Sequence, residues 1–258
     1  MIAGKDIGVG DPSVMPPFEL VIDRDRADTA CMPCTYCGLG ELAFCHGLSP
    51  DQMRRLAAIM GQANVEADTS IFREGDPSQH FYSISTGAVK LYKLLSDGRR
   101  QITAFLFPGD FFGLSIQGGY AYTAEALTPV TLCRFPRRKL ELLFQELPVL
   151  EKRLLDATIN ELAAAHDQML LLGRKTAREK IATFLVALWR KLEARGERQA
   201  LLNLPMGRAD IADYLGLTIE TVSRTLTGFK REGLISLPDA NHVHIRQGAV
   251  LTRIAEGA

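Results

Sequence analysis

The most informative pattern in the chain is a change of hydrophobic period. From about Asn64 to Pro136, Phe81, Ser83 and Ser85 alternate with Tyr82, Ile84 and Thr86, and Val89, Leu91 and Lys93 alternate with Lys90, Tyr92 and Leu94. A period of two places successive side chains on opposite faces of a strand. Turns containing Gly75, Gly87, Gly98 and Gly109 cut this stretch into short pieces, which predicts a β-barrel or sandwich. Ahead of it, Ser49 and Pro50 form a helix start, and Met53, Leu56, Ala57 and Met60 follow at helical spacing. Helical periodicity returns at Arg137, and Pro148 opens a second helix to about Leu172, roughly 37 Å long at 1.5 Å per residue.

That long helix repeats Leu154, Ile159, Leu162, Ala165 and Met169 mostly at three- or four-residue intervals. Such a stripe predicts a seam with a second copy of the chain, the alternative being a helix packed only on its own barrel. Glu161 and Asp167 flank the stripe and could oppose their own copies across a two-fold axis. Beyond Gly173 another amphipathic helix carries Ile181, Phe184, Leu185 and Leu188.

The segment from Met206 to Ile235 reads as two helices joined by a tight turn. The first, about Arg208 to Leu215, stops at Gly216, which suits a left-handed turn, and Thr218 caps the second. Ile219, Val222, Leu226 and Phe229 are expected to face inward, leaving Glu220, Ser223 and Arg224 on one exposed face. In a major groove Arg224 suits the two acceptors of guanine, Glu220 a cytosine amine, and Ser223 either. Lys230 and Arg231 are placed for phosphate. Residues Leu234 to Ile245 then read as a hairpin wing. A formal net charge of zero conceals an uneven spread: from Arg174 to Ala258 fourteen Lys and Arg face nine Asp and Glu, a surplus of five. Double-stranded DNA is the expected partner.

Four of the five cysteines, Cys31, Cys34, Cys37 and Cys45, fall within fifteen residues, and Cys133 lies far downstream. Neither a signal peptide nor a membrane span is evident, so the cytoplasm is expected, where disulfides seldom persist. A shared inorganic ligand explains the clustering better, and spacing alone leaves iron–sulfur and zinc both open. No histidine–carboxylate pair or phosphate-cradling glycine loop accompanies the thiols, so an enzyme is not expected. A ferredoxin-type electron carrier would need a fourth cysteine at position 41, where Glu41 stands.

Taken together, the cysteine run, Phe72-Arg-Glu-Gly-Asp76, Gln101-Ile-Thr-Ala-Phe105, Pro108-Gly-Asp110, Cys133 and Leu215-Gly-Leu-Thr-Ile-Glu-Thr-Val-Ser-Arg224 resemble the cyclic-AMP receptor family of transcription regulators. Within it, Glu220, Ser223 and Arg224 match the Glu-x-x-Ser-Arg motif of the oxygen-sensing fumarate–nitrate reduction (FNR) branch. The fold this resemblance implies is α+β: a β-roll of the cyclic-nucleotide-binding jelly-roll kind, a long dimerisation helix and a C-terminal winged helix-turn-helix. The corresponding boundaries are a flexible tail at 1–30, a cysteine-rich segment at 31–48, the roll at 49–147, the dimerisation helix at 148–172 and the DNA-binding domain at 173–258.

The resemblance also implies one [4Fe–4S] cluster per subunit on Cys34, Cys37, Cys45 and Cys133, with Cys31 as a possible substitute. It implies homodimeric binding of TTGAT-like palindromes under anoxia, control of anaerobic and microaerobic genes, and an RNA polymerase contact at Asp97, Gly98, Arg99 and Arg100. A zinc- or thiol-redox-dependent regulator of the same family is the alternative. Nucleotide-binding members carry a glutamate and an Arg-Ser or Arg-Thr pair after a Phe-Gly pair. Here Leu114, Ser115 and Ile116 follow Phe112-Gly113, and Gly119 to Thr123 supplies no arginine, so no cyclic nucleotide is expected.

Overall fold

The computed structural model describes residues 39–116, 118–194 and 201–257. The tail at 1–30 and the cysteines Cys31, Cys34 and Cys37 lie outside the described residues. A single 3-10 turn, Gly40–Leu42, leads to helix α1, Pro50–Ile59. Its start is a capping box: the Gln52 amide donates to Ser49 Oγ at 3.3 Å, and Ser49 N–H donates to Gln52 Oε1 at 2.9 Å.

The alternating stretch folds into short strands: β1 Gly61–Val65, β2 Ser70–Phe72, β3 His80–Thr86, β4 Val89–Leu94, β5 Arg100–Leu106, β6 Phe111–Phe112, β7 Ser115–Ile116, β8 Gly119–Tyr120, β9 Thr123–Ala126 and β10 Val130–Pro136. They form two four-stranded antiparallel sheets, ordered β1-β10-β3-β6 and β2-β9-β4-β5, and a small β7-β8 ribbon. Tyr82, Ile84, Val89, Leu91, Phe112 and Leu132 are buried together inside the roll. The opposite residues of β3 and β10, Phe81 and Phe135, face outward into a second core, with Leu56 of α1, Leu140, Leu143 and Phe144 of α2 (Arg137–Glu146), and Leu150. The strand period of two therefore gives one sheet two buried faces.

Helix α3, Pro148–Arg174, is anchored at its ends by the buried Leu150 and Leu171. Between them Leu155, Ile159, Leu162 and Met169 are 54–62% exposed, and Ala165 is exposed as well. Of the expected seam residues, Leu154 differs: it packs on the second core, and Leu155 takes the outward place.

The C-terminal part contains α4 Ala177–Ala194, β11 Leu201–Asn203, α5 Arg208–Leu215, α6 Ile219–Arg231, β12 Ile235–Ser236, β13 His242–Ile245 and α7 Gly248–Glu256. The expected wing is present, with β11 added to give a sheet ordered β11-β13-β12. Helix α7 packs along α4, and Gly248 makes this possible: a Cβ there would lie 2.4 Å from ring atoms of Trp189. The core of this part, built on Ile181, Leu185, Ile211, Leu215, Val222 and Phe229, also takes in Ile102 and Phe105 of β5.

Candidate functional site

The helix pair α5–α6 turns at Gly216, whose φ of 60° and ψ of 47° place it in the left-handed region. That conformation, with Leu172 Cδ2 only 3.2 Å from where a Cβ would stand, calls for glycine. Thr218 caps α6, its Oγ1 accepting from the Thr221 amide at 3.2 Å. Val222, Leu226 and Phe229 are at most 2% exposed and fix the helix on its neighbours. Ile219, expected inward, is instead 48% exposed. It occupies the first position of the helix, before the turn of the axis brings the apolar face against α5.

Glu220, Ser223, Arg224, Lys230 and Arg231 are all exposed, as is Thr218. Hydrogen bonds from its own backbone amide and from the Thr218 hydroxyl hold the Glu220 carboxyl below the usual carboxylate range. At neutral pH it is a hydrogen-bond acceptor one helical turn from the exposed Arg224, and acceptor and donor groups of this kind can distinguish base edges.

A second constellation lies on the outward face of the β1-β10-β3-β6 sheet. Cys133 of β10 and the buried Cys45 line one pocket, with Phe44, Met60 and Phe135 as apolar wall and Ser83 and Ser85 as hydroxyl groups. Phe44 is fixed by stacking on Phe111, centroids 4.5 Å apart. The turn bearing Cys45 is tied to the long helix, because Arg153 of α3 donates from Nη1 to the Ala43 carbonyl at 3.2 Å. The pocket thus sits at the base of α3. Among the described residues no group of three or more Cys, His, Asp or Glu gathers in metal-binding array. The two thiols in an apolar wall, with hydroxyls able to donate to sulfur, are of a chemistry that suits a thiophilic centre.

The Asp97–Arg100 turn presents Asp97, Gly98 and Arg99 to solvent. Arg99 donates to Asp97 from its amide and its Nε, which lowers the Asp97 carboxyl. Arg100 turns the other way, its Nη2 2.7 Å from Asp210 and 2.8 Å from Asp213 of α5. Lys90 joins the same cluster. A lone lysine inside Ala88-Val89-Lys90-Leu91-Tyr92 is the one sequence signal for these partners, since a charge buried in an apolar run needs a counter-charge.

Aromatic side chains pack against one another inside the roll. Phe72 stacks on Tyr120 at 3.7 Å between centroids, Tyr82 stacks on Phe112 at 5.3 Å, and the Gly113 amide donates to the Tyr122 hydroxyl at 3.2 Å.

Residues 62–146 match the family model of the cyclic nucleotide-binding domain, and residues 179–254 match that of the Crp-like helix-turn-helix domain. The chain is 44% identical to the transcriptional activatory protein AadR of Rhodopseudomonas palustris, over 81% of this chain and 88% of that one. It is 37% identical to the transcriptional activator protein FnrL of Cereibacter sphaeroides, over 84% and 90%. The solved structure of FixK2 from Bradyrhizobium japonicum superimposes with a TM-score of 0.72 at 40% identity, covering 76% of this chain and 97% of that one. The roll, the long helix and the exposed reading helix are shared with relatives that are named regulators rather than enzymes, and the chain belongs to the Crp/FNR family of transcription regulators.

Proposed function

We propose that this activator-type regulator answers to oxygen through a [4Fe–4S] cluster held by Cys34, Cys37, Cys45 and Cys133, with Cys31 in reserve. The observation that carries this reading is the meeting of Cys45 and Cys133, far apart in sequence, in one apolar pocket at the base of α3. When bound, the cluster supplies a centre that dioxygen can oxidise. The chain's own residues do the rest. Cys45 and Cys133 draw the cysteine segment onto the sheet, Phe44 walls the pocket, and Arg153 joins that segment to α3.

A docked segment favours the α3 arrangement in which Ile159, Leu162, Ala165 and Met169 pair with their copies in a homodimer. The partner stripe would cover apolar side chains that a single chain leaves more than half exposed at Ile159, Leu162 and Met169. Two reading helices then engage both halves of a TTGAT–ATCAA palindrome in double-stranded DNA, and joint engagement raises affinity steeply. Arg224, Glu220 and Ser223 read bases, Thr218 caps the reading helix, and Lys230 and Arg231 meet phosphates. The genes served are those of anaerobic and microaerobic metabolism, and the setting is the cytoplasm. Asp97, Gly98 and Arg99 form the RNA polymerase contact, whereas Arg100 is committed to α5. No cyclic nucleotide is part of this reading: Gly119 to Thr123 supplies no arginine for a phosphodiester, and Phe72 and Tyr120 stack inside the roll.

The test is anaerobic purification followed by a gel shift on the palindrome with and without air. Brown protein with iron and acid-labile sulfide, whose shift disappears in air, is the expected result. Colourless protein containing zinc, or a shift indifferent to air, would sink the proposal.

A further inference from the structure

The ladder between β3 and β10 contains an irregularity beside Cys133. Cys133 pairs with Ser83 and Leu132 with Ile84, yet Thr131 pairs with Thr86, so β3 carries one extra residue at this step, and that residue is Ser85. A regular ladder would set Ser85 opposite Thr131. A bulge re-aims the side chain of its extra residue, and here the Ser85 Oγ lies 3.4 Å from Cys133 Sγ. The surrounding wall is apolar apart from Ser83. A hydrogen bond from a hydroxyl to sulfur is electrostatically stronger in a largely apolar setting than it would be in water.

We propose that Ser85 is a positioning residue for Cys133. Its hydroxyl donates to the sulfur, fixes the orientation of the thiolate as an iron ligand and withdraws electron density from it. This deepens the cluster reading above and rests on it. Partners in the outer shell of a metal site orient the ligands and tune the centre, and hydrogen bonds to sulfur help set the potential of an iron–sulfur cluster.

The experiment compares anaerobically reconstituted full-length wild type, Ser85→Ala and Ser85→Thr, each checked for equal iron and sulfide content and equal thermal unfolding. Two quantities are read: the rate of iron loss to an external chelator, and the midpoint potential of the visible chromophore. Ser85→Ala should lose iron about tenfold faster, the lower end of the usual cost of removing an outer-shell partner, and its potential should fall. Ser85→Thr, which keeps the hydroxyl, should restore both. If Ser85→Ala matches wild type in both readouts, or if Ser85→Thr behaves as the alanine variant does, the role assigned to Ser85 is overturned while the cluster stands. A wild type without iron and sulfide overturns the cluster reading itself, and the proposal with it.

Discussion

Lys90 and Asp210 are 120 residues apart in sequence and meet at 3.2 Å, joining strand β4 of the roll to helix α5 of the DNA-binding part. Lys90 is 5% exposed and also pairs with Glu125 at 3.0 Å. Beside this pair Gln101 Nε2 donates to the Asp213 carbonyl at 2.7 Å, and Gln168 of α3 donates to the Tyr214 carbonyl at 2.7 Å. Roll and long helix both grip α5 immediately before the Gly216 turn. A buried pair yields little net stability because desolvation offsets attraction, but neutralising Asp210 would leave Lys90 with Glu125 alone and Arg100 with Asp213 alone. Asp210→Asn should therefore lower unfolding free energy by about 1.5–3 kcal/mol, the range for a hydrogen bond to a charged group. Urea titration followed by circular dichroism measures it, and an unchanged midpoint would show that the contact does not hold α5 to the roll.

Base reading and phosphate contact separate experimentally. Arg224→Ala should cost about 1–3 kcal/mol on the intended operator and relax preference at one position. Lys230→Ala should weaken all sequences alike and reduce the slope of log affinity against log salt by about 0.9. Fluorescence anisotropy over a salt series distinguishes the two. Identical behaviour of both variants would remove Arg224 from the reading face.

The exposed stripe of α3 makes a prediction about assembly. Leu162→Glu places a charge at the centre of the proposed seam and should give a monomer in anaerobic sedimentation, with binding of the two-half-site operator reduced at least tenfold. Glu161→Ala should act in the opposite direction, since it removes a charge repeated across the axis. A dimer that survives Leu162→Glu would place the seam elsewhere.

The tyrosines predict an alkaline limit. Burial raises the Tyr82 and Tyr122 hydroxyls well above their ordinary value, and Tyr214 in the same direction. The unfolded chain ionises its tyrosines near pH 10, whereas the folded chain keeps these protonated. Above about pH 10 the unfolded state thus binds fewer protons, and stability falls as pH rises. Below that pH these groups contribute no slope. Urea midpoints at pH 9, 10 and 11 should decline over the upper interval, and Tyr122→Phe should decline less steeply than wild type.

Much of this architecture can be read along the chain, because it depends on local pattern. Alternation gave the strands, the Gly216 and Thr218 signals marked the two ends of the reading-helix turn, and the apolar repeat marked α3. Contacts between distant segments were not visible: nothing in the neighbourhood of Arg100 points to Asp210 and Asp213, and nothing near Ala43 points to Arg153. Short elements escaped too. Strand β11 has three residues and no alternation long enough to detect. The extra residue at Ser85 cannot be seen until β10 is laid beside β3. Leu154 and Leu155 exchanged roles because a helical stripe read from spacing leaves its rotation uncertain by about one residue, or 100°.

Leu132 and Cys133 are adjacent in β10, yet one belongs to the interior of the roll and the other to the pocket outside it. The pleat separates two jobs by a single peptide bond. Substitutions on the outer side can retune or replace the proposed receptor chemistry while the inner packing of the roll goes untouched. A scaffold made this way can acquire a new input without relearning how to fold.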